Sequence, residues 1–245
     1  MRSSCFILIA LIGCTLSSAR ILFDDELREL TEFLRLQMHC GYPERGIPIL
    51  APAHLAYKEV DLQTDDFSCR GNFTDLTLVG LDGFEFRKLQ WNNVLHTIKF
   101  DLNFPSIRLS SANYKLDILG QFLGADGILD LELIDFHAKG SFILRPSGIA
   151  NGVHIVRWNV DWGLGKSISR TTFSGKSKMF TKFMNLIIDD FIDLTINDNP
   201  EEVAQFMEEL IVPPMNSVLA NVAWYEIAAI IMGLVEGLIP VEPIC

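Results

Sequence analysis

The chain has 245 residues, 49% of them hydrophobic and 21% charged, with a formal net charge of −11. This apolar content excludes a disordered, collagen-like or coiled-coil protein and is enough for one large core or two small ones. Polyanion binding draws its affinity from clustered basic side chains, and the acidic balance argues against such clusters, so no nucleic-acid partner is expected.

Residues 1–19 read as a secretory signal peptide. Met1 and Arg2 form a short basic start, Cys5 to Leu16 is apolar, and Ser17, Ser18 and Ala19 are the small residues of a cleavage site. The apolar run is shorter than the roughly 20 residues a membrane-spanning helix needs, so no integral span is expected there. The mature chain is expected to begin at Arg20 and to be secreted. Three cysteines then remain, Cys40, Cys69 and Cys245, in an oxidising compartment. Cys40 and Cys69 flank the start of the strand-forming region and Cys245 is the last residue, so a Cys40 to Cys69 disulfide is the preferred pairing, although spacing does not settle connectivity. Asn72, Phe73 and Thr74 form the one glycosylation sequon, which suits an exposed loop or strand edge. The histidines and cysteines show no ligand spacing, and neither a metal nor a cofactor is expected.

From Asp24 to Met38 the residues Leu27, Leu30, Phe33, Leu34 and Met38 recur at spacings of three and four, predicting an amphipathic helix capped by Asp24 and Asp25. The prolines and glycines of residues 41–52 end it. Between about Leu55 and Phe173 the period is two. Ile98, Phe100, Leu102 and Phe104, then Phe136, Ala138, Gly140, Phe142 and Leu144, then Val156, Trp158, Val160, Trp162 and Leu164 alternate with polar residues, as in an antiparallel sheet with one covered face. Beyond Ser174 the period is helical. One helix carries Met179, Phe180, Phe183, Met184, Ile187, Ile188 and Phe191 on one broad face against Lys178, Lys182 and Asp189, and a second starts at Asn199 and Pro200, with Glu201 and Glu202 at its positive end. Pro213 and Pro214 are expected to kink or break this second helix, and Val218 to Leu238 reads as a buried apolar helix.

No G-x-S-x-G, HExxH or Cys/His arrangement appears, and Gly165-Lys166-Ser167 and Gly175-Lys176-Ser177 lack the earlier glycine of a phosphate loop. The paired carboxylates Asp189-Asp190, Glu201-Glu202 and Glu208-Glu209 read as solvated helix faces. No catalytic residue is expected, and the chain is not read as an enzyme.

Three phrases in order, MHCGYPERGIPILAP over residues 38–52, DLTLVGLDGFEFRKLQW over 75–91 and LHTIKFDLNFPSIRLSSANYKLD over 95–117, resemble the insect takeout and juvenile-hormone-binding protein family. The resemblance implies an elongated α+β fold over residues 20–245 as a single domain, with a long C-terminal helix wrapped by a highly curved antiparallel sheet around an apolar tunnel. It implies a monomeric carrier of a small hydrophobic ligand such as a juvenile-hormone-like terpenoid, a fatty acid or a related lipid. Phe100, Phe104, Phe142, Trp158, Trp162 and Met184 are the residues expected to touch that ligand, because aromatic rings and methionines supply adaptable apolar area. The competing expectation is an extracellular interaction protein on the same scaffold, its tunnel filled by its own side chains.

Overall fold

The computed structural model describes residues 28, 29, 31–41, 48–63, 68–92, 95–118, 123–146 and 152–222. The signal segment, the Asp24-Asp25 cap, the Tyr42-Pro43 to Ile47 part of the first family phrase and Cys245 lie outside the described residues, as does residue 223 onward of the apolar helix expected over Val218 to Leu238. Within them, residues 31–37 form helix α1. Strands follow as β1 (Ala53–Gln63), β2 (Ser68–Val79), β3 (Glu85–Asn92), β4 (Thr97–Ile118), β5 (Leu123–Pro146), β6 (Val153–Gly163) and β7 (Lys166–Ser169). Two helices complete the described chain, α2 (Lys178–Asp198) and α3 (Pro200–Leu219).

The strands make one seven-stranded antiparallel sheet in the order β1-β2-β4-β5-β6, with β3 also on β4 and β7 also on β5. The axis of the fold is the pair β4 and β5, of 22 and 24 residues, about 70 to 80 Å if drawn straight. Strands this long must twist and coil. Each changes neighbours midway: β4 pairs β3 up to Asn103 and β2 from Arg108, while β5 pairs β7 over Leu131–Ile134 and β6 from His137. Pro105 falls in the gap on β4, where its missing N–H costs no bond to β3 or β2. Opposite it stands Asp135 with φ 51°, a left-handed conformation that Asp tolerates better than most residues. Inward residues are Phe104 then Ile107 on β4, and Leu133 then Phe136 on β5, so both strands change face at this corner without losing register.

Gly80 holds β2 to the same corner. Its φ is 92°, and a Cβ there would collide with the Ser106 carbonyl oxygen, so the glycine of the Val79-Gly80-Leu81 phrase answers both to backbone conformation and to close approach. Gly80→Ala is expected to cost about 1 to 3 kcal/mol, read as a lowered midpoint in thermal unfolding.

On the outer surface of the corner, Arg108 donates from Nε and Nη2 to Asp130 at 2.8 Å each, and Arg170 donates to Glu132, which also accepts from Ser106. The Arg108 hydrogen bond holds the Asp130 carboxyl below its ordinary range. A depressed folded-state pKa gives stability that is full above the unfolded value and lost as pH falls through the folded one. The advantage of the wild type over Arg108→Met should therefore shrink below about pH 4 in denaturant titrations.

Helices α2 and α3 lie end to end along the sheet, α2 against β7 and α3 against β6. Ser177 caps α2, accepting from Phe180 N, and Pro200 opens α3 as expected. Of the kink or break expected at Pro213 and Pro214, the break does not occur: α3 runs through both. Their missing N–H groups would have bonded the carbonyls of Glu209 and Leu210, which belong to exposed residues and are left to water.

The helices are fastened by amide and carboxylate side chains four residues apart. Asn185 donates to Thr171 O, Asp189 accepts from Ser169 N at 2.6 Å, Asp193 accepts from Ser167 N at 2.8 Å, and Asn197 both accepts from Leu164 N and donates to Leu164 O. On α3, Asn216 holds Ile155 the same way. Edge-strand groups that would otherwise be open are thereby satisfied. Asp189 is thus no solvated face residue, and burial pushes its carboxyl above the ordinary range.

The register of β1 and β2 bears on two further expectations. Leu50 N and Ala51 N donate to Met38 O, and His39 pairs with Asp82 at 3.0 Å, which places Cys40 at the Ala53 end of β1; Cys69 pairs with Leu62 at the other end. Nine residues of strand, about 30 Å, separate the two ends, far beyond the roughly 7 Å a disulfide spans between Cα atoms. Cys40 is disulfide-bonded. Asn72, expected on a loop or edge, sits mid-strand on β2 between Glu59 and Lys115.

Candidate functional site

The concave face of β4, β5 and β6 is built in rows. Ile98, Phe142 and Trp158 align across the three strands, then Phe100, Gly140 and Val160, then Leu102, Ala138 and Trp162, with Phe104 opposite Phe136 beyond them. The middle strand contributes Gly140 and Ala138 between larger neighbours, so the rows leave a hollow along it. The remaining rings pack at its walls. Phe142 stacks on Trp158 with centroids 5.8 Å apart, Phe136 on Trp162 at 5.5 Å, and Phe100 lies 6.0 Å from Phe142.

Strand β3 closes one side with Phe86, Leu89 and Trp91. Simple alternation would put Phe86 on the opposite face from the other two; a bulge between Phe86 and Lys88 restores them to one face. Met207, Ile211, Met215 and Leu219 of α3 form the roof, and Thr31 and Leu34 of α1 reach the rim. The hollow, partly open to solvent, measures about 650 Å³, and Thr31 is the one polar residue among the described residues lining it.

Five of the six residues expected at a ligand, Phe100, Phe104, Phe142, Trp158 and Trp162, line this cavity together. Met184 does not. It lines a second cavity of about 540 Å³ with Tyr114, Phe173, Phe180 and Ile188, beyond a plug formed by Ile107, Phe136 and Leu164. Tyr114 donates to Thr172 O there at 3.1 Å, and burial, with help from Asp126, pushes its hydroxyl up to about 12. Met179 is exposed, whereas Met207 and Met215 reach the main cavity. Val156 is also exposed rather than inward, because the register between β5 and β6 slips at Ile143/Leu144 and leaves it unpaired. The β3 contribution escaped the sequence reading because its bulge hides the stripe. Gly140 and Ala138, visible within the β5 stripe, are the signal that could have located the hollow. Among the described residues there is no group of His, Cys, Asp and Glu able to hold a metal, and no helix long and apolar enough to cross a membrane.

A strongly curved, unclosed antiparallel sheet with long helices laid along it over an apolar hollow is the scaffold of lipid- and hormone-binding carriers. The sequence pattern of the haemolymph juvenile hormone binding protein (JHBP) family matches residues 14–229, and the chain belongs to that family. The crystal structure of Takeout 1 from Epiphyas postvittana superposes with a TM-score of 0.55 at 14% identity, covering 80% of this chain and 92% of that one. A lipopolysaccharide binding protein structure aligns with a TM-score of 0.36 at 10% identity, over 78% of this chain and 38% of its own. No curated protein matches the sequence significantly.

Proposed function

We propose that the protein is a secreted carrier that holds one small hydrophobic molecule in the main cavity and performs no chemistry on it. The observation that carries this reading is the open volume of about 650 Å³ bounded by apolar side chains. At about 30 Å³ per small group, it accommodates on the order of 20 non-hydrogen atoms, the size of a terpenoid or a fatty-acid derivative. Burying about 15 ligand carbons at roughly 0.8 kcal/mol each gives about 12 kcal/mol before losses of motion, which leaves room for micromolar to nanomolar affinity. A lining whose one polar residue is Thr31 disfavours an ionised group inside, since a buried unpaired charge is costly. Neutral esters, ethers and alcohols therefore fit better than a free carboxylate.

In this reading Phe100, Phe104, Phe142, Trp158 and Trp162 contact the ligand directly, and Met184 would touch only a molecule in the second cavity. Cleavage after Ala19 releases a monomeric domain from Arg20, and Asn72, on the opposite face of β2 from Phe73, directs any glycan away from the core. The competing interaction-protein reading requires a tunnel filled by the chain's own side chains, which the hollow at Gly140 and Ala138 does not support. Titration of delipidated protein with a fluorescent terpenoid or fatty-ester probe tests the proposal. Saturable uptake of one probe per chain is expected, and a folded protein that takes up none overturns it.

A further inference from the structure

We propose that the first turns of α2 dock the protein onto bilayers containing anionic phospholipid, beside the mouth of the second cavity. Net charge conceals the feature. Residues 162–188 contain Lys166, Arg170, Lys176, Lys178 and Lys182 and no Asp or Glu, in a chain of net charge −11. Arg170 is engaged by Glu132 at 2.8 Å and approaches Asp130, and Lys176 lies over the Phe180 ring at 5.6 Å. Lys178 and Lys182 are exposed and make no ion pair among the described residues.

Beside them on the same helix stand four exposed apolar side chains, Met179 at 84% exposure, Phe183 at 60%, Leu186 and Ile187. At about 100° per residue, these six residues fill one continuous half of α2, the lysines along one margin and the apolar groups over the rest. The opposite half, Phe180, Met184 and Ile188, lines the second cavity. An exposed apolar face edged by lysines matches a bilayer surface, where the apolar groups enter the acyl boundary and the ammonium groups meet anionic headgroups.

The placement also has a use. Ser169, Phe173 and Lys176 line both the second cavity and an open cleft that Lys178 and Lys182 border, so docking brings that cleft to the lipid. Acidic groups bound the footprint: Asp126 lies inside the second cavity, and Asp189 and Asp190 begin the next turn of α2. The chain leaves α3 near Val153, at the end of the sheet opposite Tyr114 and Phe180, so this face lies away from the point where the chain continues.

The test is flotation of the full chain with phosphatidylcholine vesicles, with and without about a third phosphatidylserine, at low and high salt. Binding to the anionic vesicles is expected, weakened by salt. Each lysine near such a surface is worth about fivefold in partitioning, so K178E/K182E should lower binding at least about 25-fold, and Phe183→Ser should lower it as well. Circular dichroism checks that both variants are folded, and both should still take up an apolar probe in free solution, which separates failure of docking from failure of the carrier reading. Wild type that does not bind anionic vesicles, or binding that K178E/K182E leaves unchanged, overturns the proposal. If light scattering then shows a dimer that Phe183→Ser disperses, the face belongs to a second copy of the chain; a monomer leaves it to the chain's own further residues.

Discussion

Phe142→Asp is expected to reduce uptake of an apolar probe by two orders of magnitude or more. The Phe142 ring sits between Phe100 and Trp158 at the wall of the main cavity, and a carboxylate there is either buried without a partner or accompanied by water. Either outcome costs several kcal/mol, and every 1.4 kcal/mol is tenfold in affinity. Because a charge so placed also threatens folding, Ala138→Leu is the companion variant. It adds apolar volume to the hollow beside Trp162 and should block the ligand while leaving the fold intact, within the usual cost of overpacking. Lys99 and Lys139, exposed on the opposite face of the same strands, should accept alanine with uptake unchanged. Probe titration on all four variants, with circular dichroism as the check on folding, decides the matter.

Asn216→Ala should produce the largest loss of stability among the polar substitutions. One side chain accepts from Ile155 N at 2.6 Å and donates to Ile155 O, on a strand residue that is itself buried. Alanine leaves both backbone groups without a partner, at about 1 to 3 kcal/mol for each buried group. The expected total is about 2 to 4 kcal/mol, a drop of roughly 5 to 15 °C in melting temperature for a domain of this size. Asn216→Asp keeps an acceptor and loses the donor, so it should fall between. Asp190→Ala, exposed and one residue from the bonded Asp189, should be nearly neutral.

These two expectations draw on different depths of the sequence. The concave aromatic wall was legible, because Phe100, Phe142, Trp158 and Trp162 keep strict alternation wherever the strands run without a bulge, and family phrases such as Phe104-Pro105 fall at the corner that bends β4. What alternation cannot show is a change of phase. The bulge in β3 hid Phe86, Leu89 and Trp91 from the cavity list, and the slip at Ile143/Leu144 put Val156 on the wrong side. Asp135 at positive φ turns β5 over with no sign in its neighbours' hydrophobicity.

Helix α2 shows the opposite failure. Its hydrophobic residues, expected together on one broad face, are too many for it: Phe180, Met184 and Ile188 face the second cavity, while Met179, Phe183 and Ile187 are exposed. The ladder of Asn185, Asp189, Asp193 and Asn197 makes that choice; its spacing of four is present in the sequence, where Asp189 alone is singled out, as part of a solvated face. The disulfide pairing is not legible for a similar reason. Cys40 and Cys69 are 29 positions apart in the chain, yet β1 runs its full length between their positions in space, and only the register of β1 on β2 reveals this. Tunnel continuity was likewise beyond the sequence, since the plug of Ile107, Phe136 and Leu164 that divides two cavities arises where both long strands turn together.

In the proposed function the hollow under α3 holds a small apolar molecule. The most direct measurement is mass spectrometry of protein purified without organic solvent from its secreting source, intact under native conditions and again after extraction. The account predicts a mass increment of one neutral, hydrophobic compound of about 20 non-hydrogen atoms, recovered in the extract at close to one per chain and reduced in Ala138→Leu. Protein that is folded, carries no extractable apolar compound and takes up none when offered it would contradict the account.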